Sequence, residues 1–386
     1  MSSRRSRPAP LPYSTQSIDA DDVGEVARTL RSAWITQGPA VGLFEEAFAR
    51  HAGARHAVAF SSGTAALHAC GFAAGLGPGD EAVVPPITFV ATANAVLYAG
   101  ATPRFCDVEA DTALIDPKAL EAAVTRRTKA VLPVDFAGHP CDLAAIRRVA
   151  RKHGLVVIED AAHALGARYR GRRVGGLADL TVFSFHPVKH ITTGEGGMVT
   201  TDDDAFRRRL LLFRGHGITK DPAEMSRNEG PWYYEMRELG YNYRITDFQC
   251  ALGHSQLKKA DGFVKTRRRR AALYDELLRD VPGVAAAVQR PWAEHSYHLY
   301  PVRVRPGGPS RRAVFDALRA AGLGVQVHYI PVHLQPYYQK RLRTRRGLCP
   351  RAEAFYDAEI SLPLFPRMTE ADVRRVVRTL KGALGG

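Results

Sequence analysis

The sequence of 386 residues contains no run of 18 consecutive apolar residues, the length that a membrane-spanning helix requires. It is also poor in cysteine: there are only five, and no two of them form the Cys-x-x-Cys pair typical of zinc and redox sites. We therefore expect no membrane contact, no disulfide framework and no metal site. Scattered cysteines of this kind predict small buried side chains in a reducing compartment, the cytoplasm.

Residues 1–12 lack the apolar core and the small-residue cleavage site of a secretory signal. The segment is basic and contains proline, and we expect a mobile N-terminal arm. The chain carries 54 Lys and Arg against 39 Asp and Glu, a formal net charge of +15, which suits an acidic partner such as a phosphorylated small molecule. No helix-turn-helix, zinc or RNA-binding pattern accompanies this charge, so we expect no nucleic-acid partner. The basic run Arg267–Arg270 is interpreted as a solvated helix face.

From about residue 55 the chain alternates between short apolar segments and helical segments. The predicted strands are Ala57–Phe60, Glu81–Val84, Thr102–Cys106, Ala130–Val134, Leu155–Ile158 and Leu180–Phe185. The helices between them include Thr64–Leu76, Pro117–Val124 and Asp142–Lys152. Such alternation predicts an α/β protein with a mostly parallel sheet covered by helices on both faces.

The pattern changes near residue 246. A capping-box sequence, Thr246–Gln249, opens a stretch without proline that predicts one long helix to about Asp280. We expect a large domain over residues 13–250, followed by a linking helix and a small C-terminal α/β domain over residues 251–386. The predicted elements of the small domain are the segment His298–Val304, the helix Ser310–Ala321, the strand Gly324–Val327 and the helix Thr369–Leu384.

Three polar features follow predicted strands, which is where ligands bind in open α/β sheets. The turn Ser61–Thr64 leads into a helix, whose first N–H groups can bind an anion. Asp160 ends an apolar strand, where it could equally cap a helix. Lys189 follows a buried strand and precedes a glycine-rich turn. A lysine in that position is a Schiff-base candidate, although a solvated lysine is the simpler interpretation of it alone.

Taken together, the three features match the needs of one cofactor, pyridoxal phosphate. Its aldehyde needs a lysine, its pyridine nitrogen needs a carboxylate to stay protonated, and its phosphate needs a helix N-terminus. Lys189, Asp160 and the turn at Thr64 supply these groups in that order.

Several separated motifs resemble the DegT/StrS family of sugar aminotransferases, and the resemblance covers nearly the whole chain. These motifs are Ser61–His68, Pro86–Asn94, Glu159–Gly166, Phe183–Lys189 and Gly194–Gly197. The resemblance implies a fold-type I aminotransferase with a mostly parallel seven-stranded sheet in its large domain and a smaller C-terminal α/β domain. It also implies a homodimer.

The resemblance assigns roles to single residues. Lys189 is implied to bind pyridoxal phosphate covalently and Asp160 to pair with its pyridine nitrogen. Asn242 is implied to reach the phosphate of the other subunit's cofactor, with Arg244 competing for that role. The other implied cofactor contacts are Phe89 stacked on the ring, His163 near its hydroxyl, and Gly63, Thr64 and Ser184 on its phosphate.

Within the family, the closest resemblance is to the aminotransferases of pseudaminic acid biosynthesis. It lies in Ser184–His186, Ile191–Thr193, Leu212–Gly217, Ala251–Leu257, His298–Pro301, Val325–Tyr329 and Glu359–Pro363. It implies a UDP-4-amino-4,6-dideoxy-N-acetyl-β-L-altrosamine transaminase-like activity, with a UDP-linked 4-keto-6-deoxy sugar as acceptor and L-glutamate as donor. The candidate substrate-binding residues are Arg214, His216, Arg244, His328 and Tyr329.

Other functions stay open at this stage. The acceptor could be a dTDP-linked 3-keto sugar, a UDP-4-keto-pentose or an inosose. A sugar dehydratase of the same family would carry histidine in place of Lys189, which argues against that reaction. A regulator that uses this fold as a ligand sensor usually has a separate DNA-binding domain, for which the sequence before the first strand is short.

Overall fold

The computed structural model describes residues 9–286 and 288–385. Its main sheet has seven strands in the order β1-β9-β8-β5-β4-β2-β3, which confirms the predicted α/β class. The strands are β1 (His56–Phe60), β2 (Glu81–Val84), β3 (Thr102–Phe105), β4 (Thr128–Val131), β5 (Val156–Asp160), β6 (Arg168–Tyr169), β7 (Arg172–Arg173), β8 (Leu180–Ser184), β9 (Gly197–Thr201), β10 (Ile218–Thr219), β11 (Glu235–Met236), β12 (Val284–Ala285), β13 (Ala293–Glu294), β14 (Tyr300–Val304) and β15 (Glu359–Leu362).

The sheet is mostly parallel, as predicted. The pairs β3–β2, β2–β4, β4–β5 and β5–β8 are parallel, whereas β9 runs antiparallel to both of its neighbours, β8 and β1. The strand β9 was missing from the strands predicted from the sequence. Because β1, β5 and β8 run in the same direction, their carboxyl ends meet at one edge of the sheet.

The helices begin where the sequence provides caps. Asp116 caps α5 by accepting a 2.8 Å hydrogen bond from the Lys118 N–H, and Pro117 takes the first helical position. Thr246 opens α8 with the predicted capping box. The α-helices are α1 (Ala20–Leu30), α2 (Pro39–Ala52), α3 (Gly63–Ala73), α4 (Val90–Tyr98), α5 (Pro117–Ala123), α6 (Leu143–His153), α7 (Asp204–Arg214), α8 (Asp247–Leu257), α9 (Ala260–Leu278), α10 (Arg311–Ala320), α11 (Pro336–Leu342), α12 (Pro350–Ala358) and α13 (Glu370–Ala383), with 3-10 turns at Phe136–Gly138 and Val332–Leu334.

The predicted long helix between residues 246 and 280 is two helices, α8 and α9. They break at Lys258 and Lys259, where the Lys259 N–H bonds the Gln256 carbonyl at 3.0 Å in a tight turn. The Lys259 ammonium also lies 2.7 Å from Asp19 and 2.7 Å from Asp22 of the N-terminal helix α1. These ion pairs hold the turn against α1, and the sequence pattern of residues 246–280 does not predict them.

A second sheet, β12-β14-β15, is antiparallel and packs with α9, α10 and α13 around its own core. The predicted strand Gly324–Val327 is absent from it, and only isolated bridges form at Leu323 and Gln326. The physical reason is the chain that covers Gly324. A Cβ added there would lie 2.7 Å from the Tyr13 nitrogen, so residue 324 contacts the N-terminal segment at close range.

The N-terminal segment is attached at Leu11, which is 8% exposed. Its N–H bonds the Gly322 carbonyl at 2.9 Å, and its carbonyl accepts from the Gly324 N–H at 2.7 Å. Of the arm predicted over residues 1–12, residues 1–8 lie outside the described residues, and Leu11 is fixed to the small domain.

The C-terminal third does not form a single unit. Residues 332–355 return to the core of the seven-stranded sheet, where Val332, Tyr338 and Phe355 are buried. The Tyr338 hydroxyl donates a 2.6 Å hydrogen bond to the Asn94 side chain of α4. Segments from beyond residue 250 therefore reach the edge of the large sheet.

All five cysteines are free and buried, as expected. In the part of the chain that the structure describes, no helix is both long enough and apolar enough to cross a membrane.

Three members of the basic run Arg267–Arg270 depart from the expected solvated face. Arg268 and Arg270 each donate a 2.8 Å hydrogen bond from Nε to a backbone carbonyl, of His295 and Met368 respectively. Arg267 is fully buried, and its Nη1 donates to the carbonyls of Tyr297, His298 and Leu364 at 3.3, 3.1 and 2.7 Å. Its Nε and Nη2 have no partner among the described residues. Burial lowers the pKa of this guanidinium to about 9. Arg267 therefore ties α9 to two segments of the small domain.

We expect Arg267→Ala to lower the free energy of unfolding by about 2–4 kcal/mol, because three buried carbonyls lose their donor. The exposed neighbour Arg269 provides the matched control, since Arg269→Ala should change stability by less than about 0.5 kcal/mol. Urea unfolding of both variants measures the difference. Equal stabilities would contradict the structural role given to Arg267.

Candidate active site

A cavity of about 510 Å³ opens at the sheet edge where β1, β5 and β8 end. Its walls come from the turn before α3, the ends of β5 and β8, and a segment at residues 328–329. Of the residues predicted to bind cofactor or substrate, those that line it are Gly63, Thr64, Phe89, Asp160, His163, Ser184, Lys189, His328 and Tyr329. Residues far apart in the sequence are thus brought to one place.

Asp160 ends β5 and is 5% exposed. Its Oδ2 accepts a 2.6 Å hydrogen bond from the Thr92 hydroxyl, and its Oδ1 accepts a 3.1 Å bond from the Ala162 N–H. Burial raises the pKa of this carboxyl, while the two hydrogen bonds and the charge of Lys189 act in the opposite direction. No helix follows Asp160 directly, so it is not the helix cap considered as an alternative.

Thr92 was given no role in the sequence analysis. It lies in α4, and its hydroxyl is also 2.6 Å from that of Thr88. The one sequence feature that could have identified Thr92 is its position inside the motif Pro86–Asn94. Because Thr88 can donate to Thr92, the Thr92 hydrogen is free to point at Asp160, which fixes the direction of this short chain.

Lys189 lies in the turn after β8, where its N–H bonds the His186 carbonyl at 2.9 Å. Burial lowers the pKa of the Lys189 amine to about 8, and the charge of Asp160 offsets part of that effect. The amine makes no hydrogen bond or ion pair with the part of the chain that the structure describes. A lysine of this kind is partly neutral near pH 8, which makes it a nucleophile and a base.

The helix α3 begins at Gly63 beside Ser184. Its cap is Ser62, whose hydroxyl accepts a 3.1 Å hydrogen bond from the Ala65 N–H. A Cβ added at Gly63 would lie 3.1 Å from the Ser184 Cβ and 3.2 Å from its hydroxyl, so the glycine permits this close approach. The N–H groups of Gly63 and Thr64 belong to the first turn, where no intrahelical acceptor exists. The turn therefore offers donors to an anion.

His163 has a defined tautomer. The Ala137 N–H donates to its Nδ1 at 3.3 Å, and the Tyr329 hydroxyl lies 3.1 Å from its Nε2. Burial lowers the pKa of His163 well below its ordinary value, so the ring is neutral. Since Nδ1 accepts, the proton lies on Nε2 and is donated to Tyr329. The hydrogen of the Tyr329 hydroxyl is left for an acceptor in the cavity.

His328 is held by a second polar group. The His328 Nδ1 is 2.8 Å from the Ser361 hydroxyl, and the His328 backbone N–H donates to the Glu359 carboxylate at 2.8 Å. Burial lowers the pKa of His328 to about 3. The ring is therefore a neutral hydrogen-bonding group at the cavity wall. Phe89, at the start of α4, is 60% exposed and lies 6.2 Å from the Tyr329 ring.

Four predicted residues do not line the cavity: Arg214, His216, Asn242 and Arg244. Arg214 is engaged elsewhere, because its guanidinium is 2.6 Å from Glu45 and 2.7 Å from the Ala59 carbonyl. It is therefore not free to bind a substrate pyrophosphate in this chain. His216 and Asn242 are exposed, and Asn242 forms a backbone bridge with Gly215.

The cavity is short of positive charge. Among the described residues that line it, Lys189 is the one lysine or arginine, whereas Asp160 and Glu195 are both acids. A ligand with phosphates and carboxylates needs more cations than these walls supply.

The arrangement fits pyridoxal phosphate on three counts. Lys189 offers a reactive amine, Asp160 a buried carboxylate, and the turn at Gly63 an anion site that a side chain would fill. With the mostly parallel seven-stranded sheet, they define a pyridoxal-phosphate-dependent aminotransferase of fold type I. Residues 16–381 match the DegT/DnrJ/EryC1/StrS aminotransferase family, and the chain belongs to this family.

Relatives of known name agree with this assignment. The chain is 42% identical over 379 residues to the spore coat polysaccharide biosynthesis protein SpsC of Bacillus subtilis strain 168, covering 97% of each chain. It is 34% identical to Helicobacter pylori PseC, an aminotransferase involved in the biosynthesis of pseudoaminic acid, with a TM-score of 0.90 over 97% and 99% of the two chains. The PLP form of Spr1654 from Streptococcus pneumoniae is 31% identical, with a TM-score of 0.91 over 97% and 99%.

We expect Lys189 to be the residue that bonds covalently to the cofactor, because its amine is partly neutral and lies in the cavity. Borohydride reduction of the holoenzyme and peptide mapping should find the adduct on Lys189, and Lys189→Ala should abolish turnover. The exposed Lys129 and Lys220 are internal controls. A cofactor adduct on either of them would refute the assignment.

Proposed function

We propose that this protein transfers the amino group of L-glutamate to C4 of a UDP-linked 4-keto-6-deoxy N-acetylhexose. The observation that carries the aminotransferase chemistry is the pair Lys189 and Asp160 in one cavity. The choice of sugar is supported by the 34% identity to PseC over nearly the full chain. Since all five cysteines are free and buried, we place the reaction in the cytoplasm.

Pyridoxal phosphate, when bound, supplies an aldehyde for the amino group and a ring that withdraws negative charge. Asp160 would hold the proton on the ring nitrogen, since Thr92, Ala162 and Lys189 favour the ionised form of its carboxyl against the effect of burial. The positive charge of the protonated ring nitrogen would then stabilise the negative charge that develops during the reaction. Asp160 is therefore proposed as a catalytic residue.

The remaining cavity residues would hold the cofactor in place. Gly63, Thr64 and Ser184 would bind its phosphate through N–H and O–H groups. Phe89 would cover the ring, and His163 would lie beside the ring hydroxyl. In its neutral tautomer His163 is fixed from behind by the Ala137 N–H, so it keeps one orientation.

Lys189 would act as the proton carrier once it is displaced from the aldehyde. With a pKa of about 8, it can accept a proton from the α-carbon of glutamate near neutral pH and return it at the cofactor. The same steps in reverse would deliver the amino group to the keto sugar. One residue thus serves both half-reactions.

The substrate would bind on the side of the cavity formed by residues 328–329. Tyr329 has one hydrogen left to donate, because its oxygen already accepts from His163. A carbonyl or hydroxyl oxygen of the sugar is a suitable acceptor. His328 lies beside it as a neutral ring.

A second subunit would supply further phosphate-binding groups. Among the described residues that line the cavity, Lys189 is the one lysine or arginine, while Asn242 and Arg244 lie on a segment outside it, with Asn242 exposed. Exposed apolar side chains near this segment, Trp232, Tyr234 and Leu239, are 71%, 53% and 74% exposed and favour a protein interface. We propose a homodimer in which Asn242, with Arg244 as the competing candidate, reaches the partner's cofactor phosphate.

Mixed dimers test this assembly. We expect Lys189→Ala chains and Asn242→Ala/Arg244→Ala chains to be inactive alone. Refolded together, they should regain up to about a quarter of wild-type activity per chain, because half the dimers are mixed and each has one intact site. Chains that both carry Lys189→Ala form the control. Full activity from a monomer would contradict the proposal.

The substrate assignment is tested by a panel of keto sugars given to the pyridoxamine form of the enzyme. The UDP-linked 4-keto-6-deoxy N-acetylhexose should restore the aldehyde form, and with glutamate it should yield 2-oxoglutarate. A dTDP-linked 3-keto sugar, a UDP-4-keto-pentose and an inosose should react at least about tenfold more slowly. Faster turnover of one of these would replace the substrate while keeping the aminotransferase chemistry.

A further inference from the structure

Two further acids lie directly behind Asp160. Glu159 precedes it on β5 and is fully buried, as is Asp135, which follows the end of β4. Because side chains alternate along a strand, Glu159 points to the opposite face from Asp160. In the sequence, Glu159 stands out only as part of the motif Glu159–Gly166, and no motif contains Asp135.

Each of these acids has one satisfied oxygen and one that lacks a donor. Oδ1 of Asp135 accepts from the Cys141 N–H at 2.9 Å, and Oε2 of Glu159 accepts from the Thr181 hydroxyl at 2.9 Å. Oδ2 of Asp135 and Oε1 of Glu159 are buried and have no donor among the described residues. Val134 pairs with Asp160 in parallel, so the flanking residues Asp135 and Glu159 face the same side of these two neighbouring segments.

Two ionised carboxylates cannot hydrogen-bond to each other, because both are acceptors. A proton between the orphan oxygens satisfies both at once. We propose that Asp135 and Glu159 share one proton and that this acid pair is a positioning device for Asp160 and His163. The proposal rests on the proposed roles of those two residues in holding the cofactor.

The charged groups around the pair do not compensate a second negative charge. Arg147 of α6 faces Glu159 at longer range, but its guanidinium donates to the Leu177 carbonyl. Cys141 lies beside Asp135, and Asp160 is a further acid on the same strand as Glu159. Burial raises the pKa of Glu159 to about 7 and that of Asp135 well above its ordinary value. The surroundings thus favour the protonated pair.

Backbone contacts connect the pair to the cavity. The Asp160 N–H donates to the Pro133 carbonyl at 2.8 Å, and the Asp135 N–H donates to the Asp160 carbonyl at 3.0 Å. Two residues further on, the Ala137 N–H fixes His163. A repulsion between Asp135 and Glu159 would separate β5 from the turn at 135–138. That separation would displace Asp160 and His163 together.

The shared proton makes stability depend on pH with a definite sign. The folded pair keeps a proton that the unfolded chain releases above about pH 4.5. The pair's contribution to stability is therefore complete below that pH and declines as the pH rises towards the raised folded pKa of the pair. Over pH 5–7 the unfolding constant should increase with pH. In the wild type this increase should be about ten times larger per pH unit than in a protein without the pair.

The first test uses the apoprotein, so it does not depend on cofactor or activity. Glu159→Gln and Asp135→Asn replace the shared proton by an amide hydrogen, and each should remove that tenfold-per-unit difference in urea unfolding at pH 5, 6 and 7. The infrared carbonyl band of a buried protonated carboxyl should also disappear. Glu46→Gln, an exposed change on α2, is the control. Unchanged slope and band in both amide variants would overturn the shared proton.

The second test addresses positioning in the holoenzyme. Glu159→Ala leaves Asp135 without its partner and should shift the pH titration of the cofactor's visible absorbance, with kcat reduced about tenfold or more. The isosteric Glu159→Gln should restore both. Wild-type absorbance and kcat in Glu159→Ala would overturn the positioning role. If Asp160→Asn turns over normally, the proposed function fails instead, while the infrared band of the pair remains.

Discussion

Burial makes the negative charge of Asp160 costly, and the surrounding residues are arranged to lower that cost. Thr92 and the Ala162 N–H donate to its two oxygens, and Lys189 supplies an opposite charge in the same cavity. Burial also destabilises the charged form of Lys189 and lowers the pKa of its amine to about 8. The same cavity thus contains hydrogen-bond donors that favour the ionised form of an acid and a lysine that burial leaves partly neutral. Both conditions are needed for chemistry at a pyridine ring.

Much of the fold could be predicted because its signals are local. The strands that end at Phe60 and Asp160 contain short apolar runs, and the helix at Pro117 has a cap and a proline in sequence. The elements that were missed depend on distant contacts. The break at Lys259 coincides with ion pairs to α1, and Gly324 does not join a strand because the chain near Tyr13 covers it. Partners more than 200 residues away leave no local pattern.

The site shows the same division. Lys189, Asp160 and Gly63 follow strands and could be located by position, and the cavity brings them together. Thr92 and Arg267 could not be identified, because a threonine in a helix and an arginine in a basic run usually face solvent. Their functions depend on the buried acceptors that they satisfy, which are the Asp160 carboxylate and three backbone carbonyls. Arg214 is the opposite case: its charge suggested that it binds a substrate, whereas its guanidinium is already paired with Glu45.

The hydrogen-bond series from Ala137 through His163 to Tyr329 runs in one direction, because it begins at a backbone N–H that cannot reverse. Its last member, the Tyr329 hydroxyl, has its one hydrogen left to give to whatever occupies the cavity. A molecule that offers only a donor at that point leaves the Tyr329 hydrogen without an acceptor, which costs about 1–3 kcal/mol when both groups are buried. The backbone of one turn thus acts as a polarity filter: it favours a carbonyl or hydroxyl oxygen, which can accept, over an N–H group at the same position.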